Sequence, residues 1–326
     1  MIIDMFQHIR GPKYSKEMEK RAPMRDMAMP GGAEVKPAPH MVSMEGRFAC
    51  IDDQCPEGCA AVLSTVMENI PDIKDEIALA QVANDEFVEL IHDYPKYCIG
   101  AAALLPVNDI KAAEREARRA LEELKLSGLL LYTSVQGKWL GDEMFFPLYE
   151  MATHYDVPVW IHPLCRYKQI DYSPLEYDVE TGMTMMSLAT SGVFERFPNI
   201  KFISHHGGGV TPLLYPRMRA MCFVQDESVP SFARNPWDNE QGQKYFENLK
   251  KFWFDNAFDD YAPDRLEYCI NFFGIDKALF SGDFPVGGRP TGSLRDSARE
   301  IRDLHRSESD KELIFSGNAK KLLKMN

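Results

Sequence analysis

The chain has 326 residues, 45% of them hydrophobic and 26% charged, with a formal net charge of -12. This is the composition of a folded globular chain with a large core. Its acidity argues against a general role on phosphate backbones, and no apolar run reaches the about 18 residues that suggest a membrane helix.

In chain order, "MIIDM" (1–5) reads as a strand. Its continuation through "FQHI" places Asp4, Phe6 and His8 on one face and Met5 and Gln7 on the other. Residues 10–55 have no strong period and carry Pro12, Pro23, Pro30, Pro37 and Pro39, so they read as a long insertion after the first strand, a lid or an interface arm. "YCIGAAALLP" (97–106) is a strand, and "DIKAAEREARRALEELK" (109–125) is an amphipathic helix with apolar steps of three and four. "SGLLLY" (127–132) is a buried strand, "DEMFFPLYEMATHY" (142–155) a helix, and "VPVWIHP" (157–163) a strand. A helix over 179–198 precedes the strand "IKFISHHGGG" (200–209). Residues 251–257, 263–274 and 277–285 give strand, helix, strand, and helices over 292–305 and 310–325 close the chain.

Repeated strand–helix units imply parallel strands with right-handed crossovers. Seven or eight units over roughly 300 residues fit a single-domain (β/α)8 TIM barrel over 1–326, distorted by the insertion and followed by C-terminal helices. Neither GxGxxG nor GxxxxGK[ST] occurs, which disfavours dinucleotide and P-loop folds. The N-terminus lacks a basic segment followed by an apolar one, so no secretory signal is expected. Seven cysteines, an odd number, suggest a reducing cytoplasmic setting. Cys50, Cys55 and Cys59 lack the close CxxC pairing of zinc or iron–sulfur sites and read as structural thiols.

Several chemistry-bearing residues fall at strand ends. His8 ends the first strand, His162 ends "VPVWIHP", His205 and His206 lead into three glycines, and Asp283 ends "KALFSGDFP". In a parallel barrel the carboxyl ends of the strands form one active-site face. Neutral imidazoles and a carboxylate suit a divalent metal or proton transfer.

"IID…H", "VWIHP", "ISHHGGGVTPLLYPRM", "LFSGDFPVG" and "IFSGNAKKLL" together resemble the amidohydrolase superfamily, in its aminocarboxymuconate-semialdehyde decarboxylase-like branch. The resemblance covers nearly all of the chain outside 10–55. It implies a barrel with one divalent metal, zinc or manganese, at the strand ends. The implied ligands are His8, His162 and Asp283, with Asp283 and His206 as catalytic groups. His206, next to the glycines, fits the family pattern better than His205, which alternation sends to the opposite side of its strand. One position departs from the pattern: Phe6 stands where the family has His or Glu, and phenylalanine has no lone pair for a metal.

Arg217 and Arg166 are candidate carboxylate binders, because a guanidinium clamps a carboxylate in two-pronged fashion. Asn256 or Asp255, at a strand end, and Phe6 are candidate substrate contacts, while the acids of "FDNAFDD" read mainly as a solvated loop. The leading expectation is a non-oxidative decarboxylase of a small unsaturated or aromatic carboxylic acid. A hydrolase or hydratase on the same frame is the alternative, and a metal-free member is a third. A homodimer is expected from the family, and neither nucleic acid nor membrane is an expected partner.

Overall fold

The computed structural model describes residues 1–21, 40, 43–66, 73–164, 174–221, 240–258, 261–285 and 293–325. Eight parallel strands form one sheet in chain order: β1 (Ile2–His8), β2 (Cys59–Ser64), β3 (Cys98–Ala103), β4 (Gly128–Tyr132), β5 (Pro158–His162), β6 (Lys201–Ser204), β7 (Trp253–Asp255) and β8 (Ala278–Leu279). The last strand returns to the first, with Met5 N–H donating to Phe280 O at 2.9 Å and Ser281 Oγ donating to Phe6 O at 3.1 Å. The result is the expected (β/α)8 barrel. Every residue of β1, β2, β4 and β5 is buried, as parallel strands covered on both faces require.

Helices wrap the barrel: α1 (Pro12–Arg21), α2 (Met44–Gln54), α3 (Ile73–Asp93), α4 (Ile110–Glu122), α5 (Phe146–Tyr155), α6 (Pro174–Thr190), α7 (Thr211–Met221), α8 (Glu240–Leu249), α9 (Pro263–Phe273) and α10 (Ser293–Arg302). The periodicity of α4 works as expected. Asp109 caps it, accepting from Lys111 N and Ala112 N, and the alanine face with Leu121 is buried. Pro147 falls in the first turn of α5, where its missing N–H costs nothing. Among the described residues no helix is long and apolar enough to cross a membrane.

Some sequence expectations needed correction. The "KALFSGDFP" strand shrinks to Ala278–Leu279, and Asp283 lies beyond it in a left-handed backbone conformation, φ +47. The helix expected over 179–198 divides at Gly192 (φ +84), ending as α6 at Thr190 and resuming at Val193–Arg196. Strand β2 and helix α3 fall between the insertion and the strand at 97–106, where the sequence reading assigns no element.

The insertion read over 10–55 carries a helix at each end. The Glu86 carboxylate caps α1 by accepting from Lys13 N (2.8 Å) and Tyr14 N (2.9 Å). Helix α2 docks on α10 through Gln54, whose side-chain oxygen accepts from Leu294 N at 3.1 Å. Residues 22–39, the centre of the expected lid, lie outside the described residues.

Arg47 of α2 is buried, and burial lowers its pKa to about 10. Its guanidinium donates to His8 O (2.9 Å), His40 O (3.0 Å) and Gln7 Oε1 (2.8 Å), and lies 5.1 Å from the centre of the Phe284 ring. Arg47→Met keeps the apolar stem but leaves the β1 acceptors without a donor. It should lower stability by about 3 kcal/mol in urea denaturation. An unchanged midpoint would show that this anchor contributes nothing.

Candidate active site

The carboxyl ends of the strands bring four aromatic rings to one place. The ring centre of Phe6 lies 4.0 Å from that of His205, 4.9 Å from His8 and 5.5 Å from His162. His8 and His162 are 5.2 Å apart, and His162 and His205 5.4 Å. All four side chains are buried. A β-bulge between Asp4 and Gln7 breaks the strict alternation of β1. The Asp4 carboxylate instead accepts from Phe6 N (3.1 Å), Gln7 Nε2 (2.9 Å) and Gly282 N (3.3 Å), which ties β1 to the segment after β8.

Two histidine–carboxylate pairs flank the Phe6 ring. His8 Nε2 lies 3.0 Å from Asp283 Oδ1. Burial would raise the Asp283 carboxyl, but His8, with His206 and His205 behind it, outweighs burial and holds it below the ordinary value. On the other side His205 Nδ1 lies 2.6 Å from Asp255 Oδ2. Burial opposes charge on His205, yet the Asp255 carboxylate raises its pKa above the ordinary imidazole value. His162 behaves oppositely: burial and the neighbouring imidazoles push it well below 6.5. Its Nδ1 lies 2.6 Å from Pro163 O, and since a carbonyl only accepts, Nδ1 carries the hydrogen and Nε2 is left as an acceptor.

The two histidines after β6 exchange the roles that alternation assigned. The buried ring packed against Phe6 is His205, not His206. His206 turns away at φ +57, its N–H donating to Asp255 Oδ1 (3.0 Å) and its ring 6.1 Å from Tyr177. Burial and His205 lower its pKa. The turn continues through Gly209 (φ +58), where a Cβ would meet Asp178 O at 2.2 Å, so only glycine fits. Positive φ at both His206 and Asp283 is the backbone strain that functional sites concentrate.

The other sequence candidates are placed as follows. Asp255 is fully buried, which corrects its reading as a solvated loop acid. Asn256 is also buried; its Nδ2 donates to Ser297 O (3.1 Å) and Glu300 Oε2 (3.0 Å), and its Oδ1 accepts from Ser281 N (3.0 Å). Its amide therefore braces the chain leading to Asp283. Arg217 is exposed on α7. Arg166 lies outside the described residues. Sequence reasoning missed Arg265 of α9, which donates to His206 O (2.9 Å) and pairs with Asp178 (3.0 Å); no motif marks it.

The implied metal ligands His8, His162 and Asp283 share this mouth but do not close on one point. Among the described residues, no group of three or more His, Cys, Asp or Glu side chains is placed to hold a metal ion. The phenyl ring of Phe6 packs against three imidazoles, His8 and His162 also meet directly at 5.2 Å, and His8 lies 3.0 Å from Asp283.

Burial raises the Asp4 carboxyl from 3.8 to about 7. The folded chain then holds a proton that the unfolded chain releases, so this group's contribution to stability falls as pH rises from about 4 through 7. Asp4→Asn should flatten that fall in urea denaturation between pH 5 and 8. Equal pH slopes in the two proteins would refute it.

The amidohydrolase family profile matches residues 52–325, so β1, with Phe6 and His8, lies ahead of the match. The 2-amino-3-carboxymuconate-6-semialdehyde decarboxylase of Dictyostelium discoideum is 29% identical over 266 residues, 77% of this chain and 67% of that one. The solved structure of 5-carboxyvanillate decarboxylase from Sphingomonas paucimobilis superposes with a TM-score of 0.79 at 20% identity, covering 100% of this chain and 99% of that one. A dihydroxybenzoic acid decarboxylase from Polaromonas sp. JS666, solved with bound manganese and the inhibitor 2-nitroresorcinol, gives a TM-score of 0.76 at 21% identity over 100% and 97% of the two chains. At such identities the structures speak for the fold, while the profile spans most of the sequence: the chain belongs to the amidohydrolase family.

Proposed function

We propose that this chain is a non-oxidative decarboxylase of a small unsaturated or aromatic carboxylic acid. The observation that carries this reading is the buried His8–Asp283 pair beside the Phe6 ring, in a family whose named relatives above are decarboxylases. Phe6 is fully buried and backs the imidazoles, and His162 Nε2 offers an acceptor for a substrate hydroxyl. In the reaction the bond to the carboxylate breaks, carbon dioxide leaves, and the electron pair stays on the substrate carbon. That carbon then takes a proton.

Burial would raise the Asp283 carboxyl, yet His8 and the neighbouring imidazoles hold it below the ordinary value. We assign proton delivery to the His8–Asp283 pair, the carboxylate orienting the His8 ring. His206, its pKa lowered, serves as an acceptor at the rim. Asn256 positions the backbone ahead of Asp283. A manganese-bearing decarboxylase of the same fold raises the question of a divalent ion here; the donors present do not close on one, and no step is routed through it.

The test is incubation of the purified chain with a panel of aromatic and dienoic acids in deuterated water. Carbon dioxide should be released and one solvent deuterium should appear at the vacated carbon. His8→Gln and Asp283→Asn should each lower kcat by about 100-fold or more with the circular dichroism spectrum unchanged. Product carrying solvent oxygen, with no carbon dioxide released, would replace this reading with a hydrolase or hydratase.

A further inference from the structure

We propose that this site works without a bound metal ion, with the phenyl ring of Phe6, which has no donor atom, packed against three imidazoles. The inference does not depend on which acid is the substrate.

Three observations support it. Phe6 is fully buried with its ring within 5.5 Å, centre to centre, of three imidazoles: edge-on to His8 and His205, and near-parallel to His162. A phenyl ring supplies no lone pair and keeps the imidazoles at ring-packing distance. Second, the carboxylates around the mouth face protein groups. Asp283 lies 3.0 Å from His8, and Asp255 Oδ1 accepts from His206 N and Ala257 N, while Asp255 Oδ2, 2.6 Å from His205 Nδ1, makes no aligned hydrogen bond. Asp4 accepts from two backbone N–H groups and Gln7. Third, the described residues contain no three-donor group, although His8, His162 and Asp283 all reach the same strand ends.

Elemental analysis and calorimetric titration with manganese chloride and zinc chloride test the inference, using the full chain, Phe6→His and His162→Ala. The purified chain should carry far less than one equivalent of metal, show no saturable heat with either salt, and keep its turnover after chelator treatment. Phe6→His supplies the missing donor and should take up about one equivalent. One equivalent in the unmutated chain, lost in His162→Ala, would overturn the inference. So would a folded Phe6→His that still binds no metal, because Phe6 would then not be the obstacle. Absence of decarboxylation on every acid, with the metal results as expected, would remove the proposed activity and leave this inference standing.

Discussion

The contact between the first and last strands is the constraint on which the rest of the molecule depends. Strand β1 closes against residues 280–282, just past β8. The hydrogen bond from Met5 to Phe280, the Ser281 hydroxyl on Phe6 O and the Gly282 N–H on Asp4 hold that seam. The His8–Asp283 contact is the same seam continued past the ends of the strands. A closed barrel has no sheet edge to protect, and here closure also brings together two groups separated by most of the sequence. The reactive pair is therefore a product of the fold's topology, and any change that opens the seam separates it.

Around that seam the interior is unusually aromatic for a polar site. Trp160 crosses the barrel to donate its ring N–H to Met5 O at 2.9 Å, holding the middle of β1 from the opposite side. Phe6 sits above it among the imidazoles. A buried imidazole next to a phenyl face has little solvent to stabilise its charge, so charge survives only beside a carboxylate. This explains why the histidines differ: His205, beside Asp255, is raised, whereas His162, with no carboxylate partner described for it, is lowered.

Much of the barrel was legible because its strands are short apolar runs separated by helices whose alanine and leucine spacing is plain, as in α4. Where the chain was misread, the cause is local. Residues 59–64 are small and uniform, CAAVLS, with no alternation to mark a strand, and in α3 the buried stripe of Leu79, Ala80, Ala83, Phe87 and Leu90 is interrupted by buried Glu76, Asn84 and Glu86. The exchange between His205 and His206 arises because β6 ends at Ser204 and the backbone then turns through positive φ at four successive residues, so counting alternate residues past the strand end fails. Asp255 reads as a loop acid because "FDNAFDD" is acidic throughout; only the partner histidine on another strand shows why one of these acids is buried. Phe6 was visible as an exception in the sequence, but its effect on its neighbours needed the three ring distances.

Arg47 gives the segment after the first strand a part in assembling the mouth. Its guanidinium reaches back some forty positions to the backbone of His8 and the side chain of Gln7, and also lies over Phe284, next to Asp283. Both ends of the barrel seam are thus gripped by one cation from outside the strand framework. Loss of the α2 anchor would therefore loosen the end of β1 and the segment that carries Asp283 together.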